Sequence, residues 1–153
     1  MIPDSVVALL QTGISVMIGT RDASLMPECT RAWGIHIAGD RRTVTIFLSK
    51  AIAGKTIQNL RENGKLAVTC TRPTDHITCQ LKGQVRSMKP VTSVDRETSK
   101  RWHREFMAEL TAIGVPSTLC EAWIAEPTVA VKMTVTDVFD QTPGPGAGKQ
   151  IGG

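Results

Sequence analysis

Tyrosine is absent from this sequence, and phenylalanine and tryptophan contribute only three residues each to a chain of 153. So few aromatic rings leave little with which to sandwich a ring-shaped substrate. Cysteine is sparse too. Cys29, Cys70, Cys79 and Cys120 include no pair at C-x-x-C spacing, which excludes a zinc ribbon and a thioredoxin-like redox motif. They read as reduced, partly buried thiols. His36, His76 and His103 fall in three different segments with no i, i+4 pairing, so no metal site is expected. No window approaches the ~18 apolar residues of a membrane-spanning helix. The opening Met1-Ile2-Pro3-Asp4-Ser5 has no basic stretch followed by an apolar one, so the expectation is a cytoplasmic protein that does not engage a membrane.

Lysine and arginine outnumber aspartate and glutamate by 18 to 14, a formal charge of +4. The cations are spread along the chain and form no dense run. That balance suits a small anionic ligand and disfavours a nucleic-acid partner. Hydrophobic residues make up 41% and charged residues 21%, the balance of a globular domain with one core.

Asp4 and Ser5 precede an apolar run that stops at Gly13, as a short helix would. Ile14 to Thr20 reads as a strand, Glu28 to Ile37 as a second, and Thr43 to Leu48 as a third. The turn Gly39-Asp40-Arg41 joins the last two as a hairpin. Between Ala51 and Asn63 the period becomes helical, with Asn63-Gly64 as the stop. Lys65 to Arg72 and His76 to Ser87 return to strand alternation, Ile77, Cys79, Leu81 and Val85 sharing the inner face of the latter. Asp95 to Ile113 is amphipathic, with Trp102, Phe106, Leu110 and Ile113 as its apolar stripe. A shorter helix is expected over Pro116 to Trp123, and Thr128 to Phe139 is a long β-branched strand. The fold expected is mainly β with flanking helices, a six-stranded antiparallel barrel over residues 1–140. Residues 141–153, rich in Gly and Pro, form a tail expected to be flexible unless a partner orders it. Gly148-Lys149 lacks the upstream Gly and following Ser or Thr of a phosphate loop.

A strand bearing Arg31, a hairpin leading to Ile46-Phe47-Leu48-Ser49, a lysine-bearing helix start and a strand pair follow one another in the order of the FMN-binding split barrels. The chain resembles that family, the relatives of pyridoxamine 5′-phosphate oxidase, from Ile14 to Ser87 and in its last long strand. The resemblance implies a split barrel, an FMN cofactor and a homodimer with the cofactor between subunits. It further implies a phosphate held by Arg31, Ser49, Lys50 and Lys55, with Gly54 permitting close backbone approach near a helix N-terminus. Taken singly, Lys50 and Lys55 read as solvated surface lysines; the phosphate reading belongs to the set. Ala32, Trp33 and Gly34 would border the ring with Phe47 and Leu48 beside them, while Trp33, Ile35 and Ile37 also fit one core face. Thr78 stands where the family commonly has Gln.

No segment after Phe139 resembles the Arg-, His- and Trp-rich substrate grip of pyridoxamine phosphate oxidase, so that reaction is not expected. What the resemblance implies is a flavin-dependent oxidoreductase of unknown substrate, with NAD(P)H as a possible electron donor. A non-catalytic flavin-binding or stress-response module remains an alternative, as does a split barrel binding deazaflavin or haem, with His36 or His76 as the axial ligand in the last case.

Overall fold

Alternating burial builds the barrel wall. In β1 (Ser15–Arg21) Val16, Ile18 and Thr20 are buried, and in β5 (Lys65–Thr71) Leu66, Val68 and Cys70 are, while the residues between them face outward. The computed structural model describes every residue except 124. Among the described residues the other elements are α1 (Asp4–Leu10), β2 (Pro27–Arg31), β3 (Ile35–Ile37), β4 (Thr43–Leu48), α2 (Gly54–Asn63), β6 (Thr78–Pro90), α3 (Ser93–Ala112), α4 (Ser117–Ala122), β7 (Val129–Asp140) and β8 (Gln150–Gly152). Neighbouring strands are antiparallel in the order β2-β1-β5-β6-β7-β4-β3, with β8 added to β7. No described helix is long and apolar enough to cross a membrane.

The six strands expected are eight. The stretch 28–37 is two strands, because the chain changes neighbours at Trp33. Ala32 donates its N–H to the Val16 carbonyl in β1, whereas Trp33 donates to the Phe47 carbonyl in β4. Gly34 makes the bend at φ +129, and a Cβ there would lie 3.0 Å from the Phe47 ring. The two ends of the strand order are therefore consecutive in sequence, and the sheet closes on itself at that step. The eighth strand, β8, follows the Gly/Pro-rich segment 141–149, which contains no helix or strand. It pairs with β7 at Val138 and Phe139, beyond the stretch of β7 covered by β4. Of the expected inner face of β6, Cys79 and Leu81 are buried, Val85 is half-buried and packs against the core, and Ile77 precedes the strand and is exposed; the pairing with β7 shifts register after Lys82 and after Val85.

The helices close the open ends. Gly64, at φ +66, ends α2 as an αL cap. Its start lies three residues beyond the expected one, because the Ser49 carbonyl accepts from the Ile52 and Ala53 N–H groups and makes a separate turn first. Thr92 and Asp95 form a reciprocal capping box at the start of α3. Trp102, Phe106 and Leu110 are buried, and Trp102 donates its indole N–H to the Ile14 carbonyl at 2.9 Å. Ile113 is exposed because it is the C-cap rather than part of the stripe.

Where α2 meets β1, Asn59 Nδ2 donates to Thr20 Oγ1 at 3.1 Å, but Asn59 Oδ1 and Thr56 Oγ1 are buried with no partner among the described residues. A buried unpaired hydroxyl costs on the order of 1 kcal/mol. Thr56→Val, which keeps the shape and removes the hydroxyl, is expected to hold stability or raise it by about 1 kcal/mol in urea unfolding. A loss of that size would show the hydroxyl to be paired.

Candidate functional site

The residues expected to gather around a phosphate lie in separate surroundings. Ser49 is buried beneath its turn. Lys50 is exposed, its backbone N–H on Thr128 Oγ1 at 3.0 Å. Gly54 opens α2 with nothing within 4 Å of where a Cβ would stand. Lys55 reaches Asp22 at 3.4 Å. Asp22 is itself held below the usual carboxylate range, chiefly by the Met26 N–H and also by Lys55 and the Ser24 N–H, so Lys55 already has an anion beside it. Ala32, Phe47 and Leu48 have their side chains in the core. The space expected for a flat ring next to Ala32 and Gly34 is filled by the Phe47 ring and by Ser99 of α3. Trp33 is buried too, although its indole N–H has no partner among the described residues. His36 on β3 and His76 in the β5–β6 turn are both exposed, on elements far apart in the strand order.

Arg31 ends β2 on the outer side of the sheet. Its guanidinium donates to Ser15 Oγ at 3.1 Å and lies 4.9 Å from the Trp123 ring centre and 5.8 Å from that of Phe106. Burial lowers its pKa, but a guanidinium remains protonated. Only one of its five N–H donors is used by Ser15. Arg31, Trp33, Ile52, Ala122, Trp123 and Ala125 line a cavity of about 320 Å³, which brings two of the expected residues together with the turn after β4.

Strand register explains which groups share the outer face, because directly paired antiparallel residues point the same way. One row runs Ser15, Thr71, Thr78, the next Met17, Thr69, Gln80, and a third Gly19, Ala67, Lys82. Arg31 pairs with Met17, so Arg31 and Thr78 stand on one face, joined by the hydroxyls of Ser15 and Thr71. The Thr78 hydroxyl lies 2.8 Å from the His76 carbonyl and 3.0 Å from Thr71 Oγ1, so its bonding is met within the chain. Ser15 accepts from Arg31 and keeps its own proton to donate. Towards the other end, a groove of about 450 Å³ runs over Gly19 and Ala67, with Arg21, Lys65 and Lys82 around it. A Cβ on Gly19 would meet nothing nearer than the Ala67 carbonyl oxygen at 4.0 Å, so the floor is open.

The alternation of β1 and β5 already placed Ser15 and Thr71 opposite the core positions. Trp123 and the Arg21, Lys65, Lys82 trio carried no such signal, since only the folded register unites them.

No protein-family model matches the sequence, and no curated protein does. Solved structures do match. HupZ of Group A Streptococcus is 18% identical with a TM-score of 0.61, the match covering 97% of this chain and 100% of that one. A candidate pyridoxamine 5′-phosphate oxidase from Lactobacillus delbrueckii is 14% identical with a TM-score of 0.57, over 90% and 93% of the two chains. An FMN-binding protein from Syntrophomonas wolfei is 14% identical with a TM-score of 0.51, over 86% and 84%.

Proposed function

We propose that this split barrel, a fold it shares with an FMN-binding protein and a candidate pyridoxamine phosphate oxidase, holds FMN on the outer face of β2, β1, β5 and β6 and works as a flavin-dependent oxidoreductase. The observation that carries this reading is the outer face itself. An open floor at Gly19 and Ala67 lies between a guanidinium with free donors at one end and three cations at the other. Arg31, with Ser15 beside it, offers charge-assisted donors to a phosphate dianion. Met17, Thr69 and the Gly19–Ala67 floor accept a flat ring, and Lys65 and Lys82 favour negative charge on it. Bound FMN supplies hydride and electron transfer; this chain's residues contribute position and field.

The same face serves as the homodimer surface. Met17, Ala67 and Cys29 are only partly covered there, and a second copy seated over them would shield the ligand from water. Cys29 pairs with Gly19 on this face, whereas Cys70, Cys79 and Cys120 are buried. The Cys70 thiol is pushed well above its ordinary pKa by its hydrogen bond with Cys79 and by burial, so it is a poor nucleophile. Native protein is therefore expected to present one reactive thiol, Cys29, whose alkylation slows as concentration rises and dimer forms. Rapid labelling of further thiols, or a Cys29 rate independent of concentration, would contradict this.

The direct experiment is fluorescence titration of FMN. Wild type is expected to quench it, and Arg31→Ala and Gly19→Leu to weaken binding at least tenfold while circular dichroism stays unchanged. Wild-type protein that is colourless and fails to quench FMN would overturn the reading. Oxidation of NAD(P)H in the presence of an electron acceptor then separates an enzyme from a flavin carrier.

A further inference from the structure

On α3 the residues at positions 96, 99, 100, 103 and 104 follow i, i+3, i+4, i+7, i+8 spacing and so form one stripe of the helix. Arg96, Ser99, Lys100, His103 and Arg104 line one wall of a cavity of about 380 Å³ whose other wall is Ala125, Glu126 and Pro127. This volume falls within the range of small-molecule sites. The stripe itself lies apart from the face assigned to FMN on the outside of β1 and β5, and Ala125, in the other wall, is the one residue that also lines the Arg31 cavity.

Charge in this cavity is incompletely balanced. Arg96 is paired with Glu126, and Lys100 with Glu97 at 2.9 Å. Among the described residues no carboxylate pairs with Arg104. Three cations against two carboxylates leave about one positive charge facing the cavity. His103 adds no further charge, because burial depresses its pKa and favours the neutral ring. Its Nε2 is buried, with no hydrogen-bond partner among the described residues, and an atom closed to water is closed to a ligand in the cavity as well, so His103 adds only ring surface to the wall. The remaining surface is apolar: Ala125, Pro127 and the aliphatic stems of Arg96, Lys100 and Arg104.

We propose that this cavity binds a small organic monoanion, a carboxylate carried on an apolar body. Arg104 takes the carboxylate, and the His103 ring, Ala125, Pro127 and the stems enclose its apolar part. A phosphate dianion would exceed the single unbalanced positive charge, and an uncharged apolar molecule would leave Arg104 unmet.

The test is calorimetric titration of the full chain with benzoate, 1-naphthoate and octanoate, each beside the alcohol of the same skeleton. At least one carboxylate is expected to bind tenfold or more tightly than its alcohol. Arg104→Ala should weaken that carboxylate about tenfold. Arg101→Ala, which removes the same charge from α3 outside the cavity, should leave its affinity unchanged. Failure of all three carboxylates to bind, equal binding of a carboxylate and its alcohol, or an equal loss in Arg101→Ala would overturn the proposal. FMN binding is read separately by fluorescence, so the two sites stand or fall apart.

Discussion

Alanine at Gly13 is expected to be among the most damaging single-methyl changes in this protein. A Cβ there would lie 2.2 Å from the Glu105 carbonyl oxygen and 2.6 Å from the Phe106 nitrogen, backbone atoms of α3 that no rotamer change can move. The helix would have to lift from the barrel. Overpacking of this kind costs about 3 kcal/mol, a large part of the 5–15 kcal/mol that ordinarily separates folded from unfolded states. For a domain of this size the melting temperature should fall by about 10 °C. Gly19→Ala is the control, since it adds the same methyl to open space and should change melting little. A fall of under 2 °C for Gly13→Ala would mean that α3 does not dock as described.

The neighbouring contact gives the second large effect. Trp102 is buried, stacks on Phe106 with ring centres 5.2 Å apart, and donates to the Ile14 carbonyl. Trp102→Ala removes all three contributions and should cost about 3–5 kcal/mol. Trp102→Phe keeps a ring but leaves the buried Ile14 carbonyl without its donor, an expected loss of about 1–3 kcal/mol. Urea unfolding of both variants separates volume from hydrogen bond. If phenylalanine were as stable as wild type, the indole N–H would contribute nothing to anchoring α3.

Much of this arrangement was legible in the sequence where a local rule decides. A β-branched apolar run located β1, β4 was located by the turn before it, alternation located β5, and Asn63-Gly64 ended α2. The turn at residues 39–41 joined β3 to β4, and the spacing of Trp102, Phe106 and Leu110 gave the buried face of α3. What escaped depends on distant partners. The pattern from Glu28 to Ile37 has no mark at Trp33, because leaving β1 for β4 changes hydrogen-bond neighbours without changing residue character. The register shifts between β6 and β7, one after Lys82 and one after Val85, escaped as well, because an inserted register step has no side-chain signature of its own.

The candidate site shows the same division. Arg31 was recognisable as a strand arginine, yet its surroundings come from Ser15, Phe106 and Trp123, which only folding assembles. Lys55 looked available for phosphate until Asp22, in the preceding turn, was placed against it. Thr78 was located on a strand, but its saturation by His76 and Thr71 follows from pairing. The polar stripe of α3 went unread in the sequence, since only Ala125 and Pro127, brought against it by folding, turn it into a cavity.

The pairing of β4 with β7 bears on how the chain reaches this state. Thr43 lies opposite Thr134 and Leu48 opposite Val129, so the ladder that ties β3 and β4 to the rest of the sheet joins residues separated by more than half of the sequence. The hairpins β1–β2, β3–β4 and β5–β6 are local and can form early, but closure must wait for a long loop to find its ends, a step whose entropy slows the folding of β-rich topologies. During synthesis β4 therefore emerges with one side unpaired and stays so until β7 has left the ribosome. An exposed strand edge is a template for pairing with other chains. The vulnerable period for aggregation is set by the interval between those two strands, and slower translation across α3 and α4 should lengthen it.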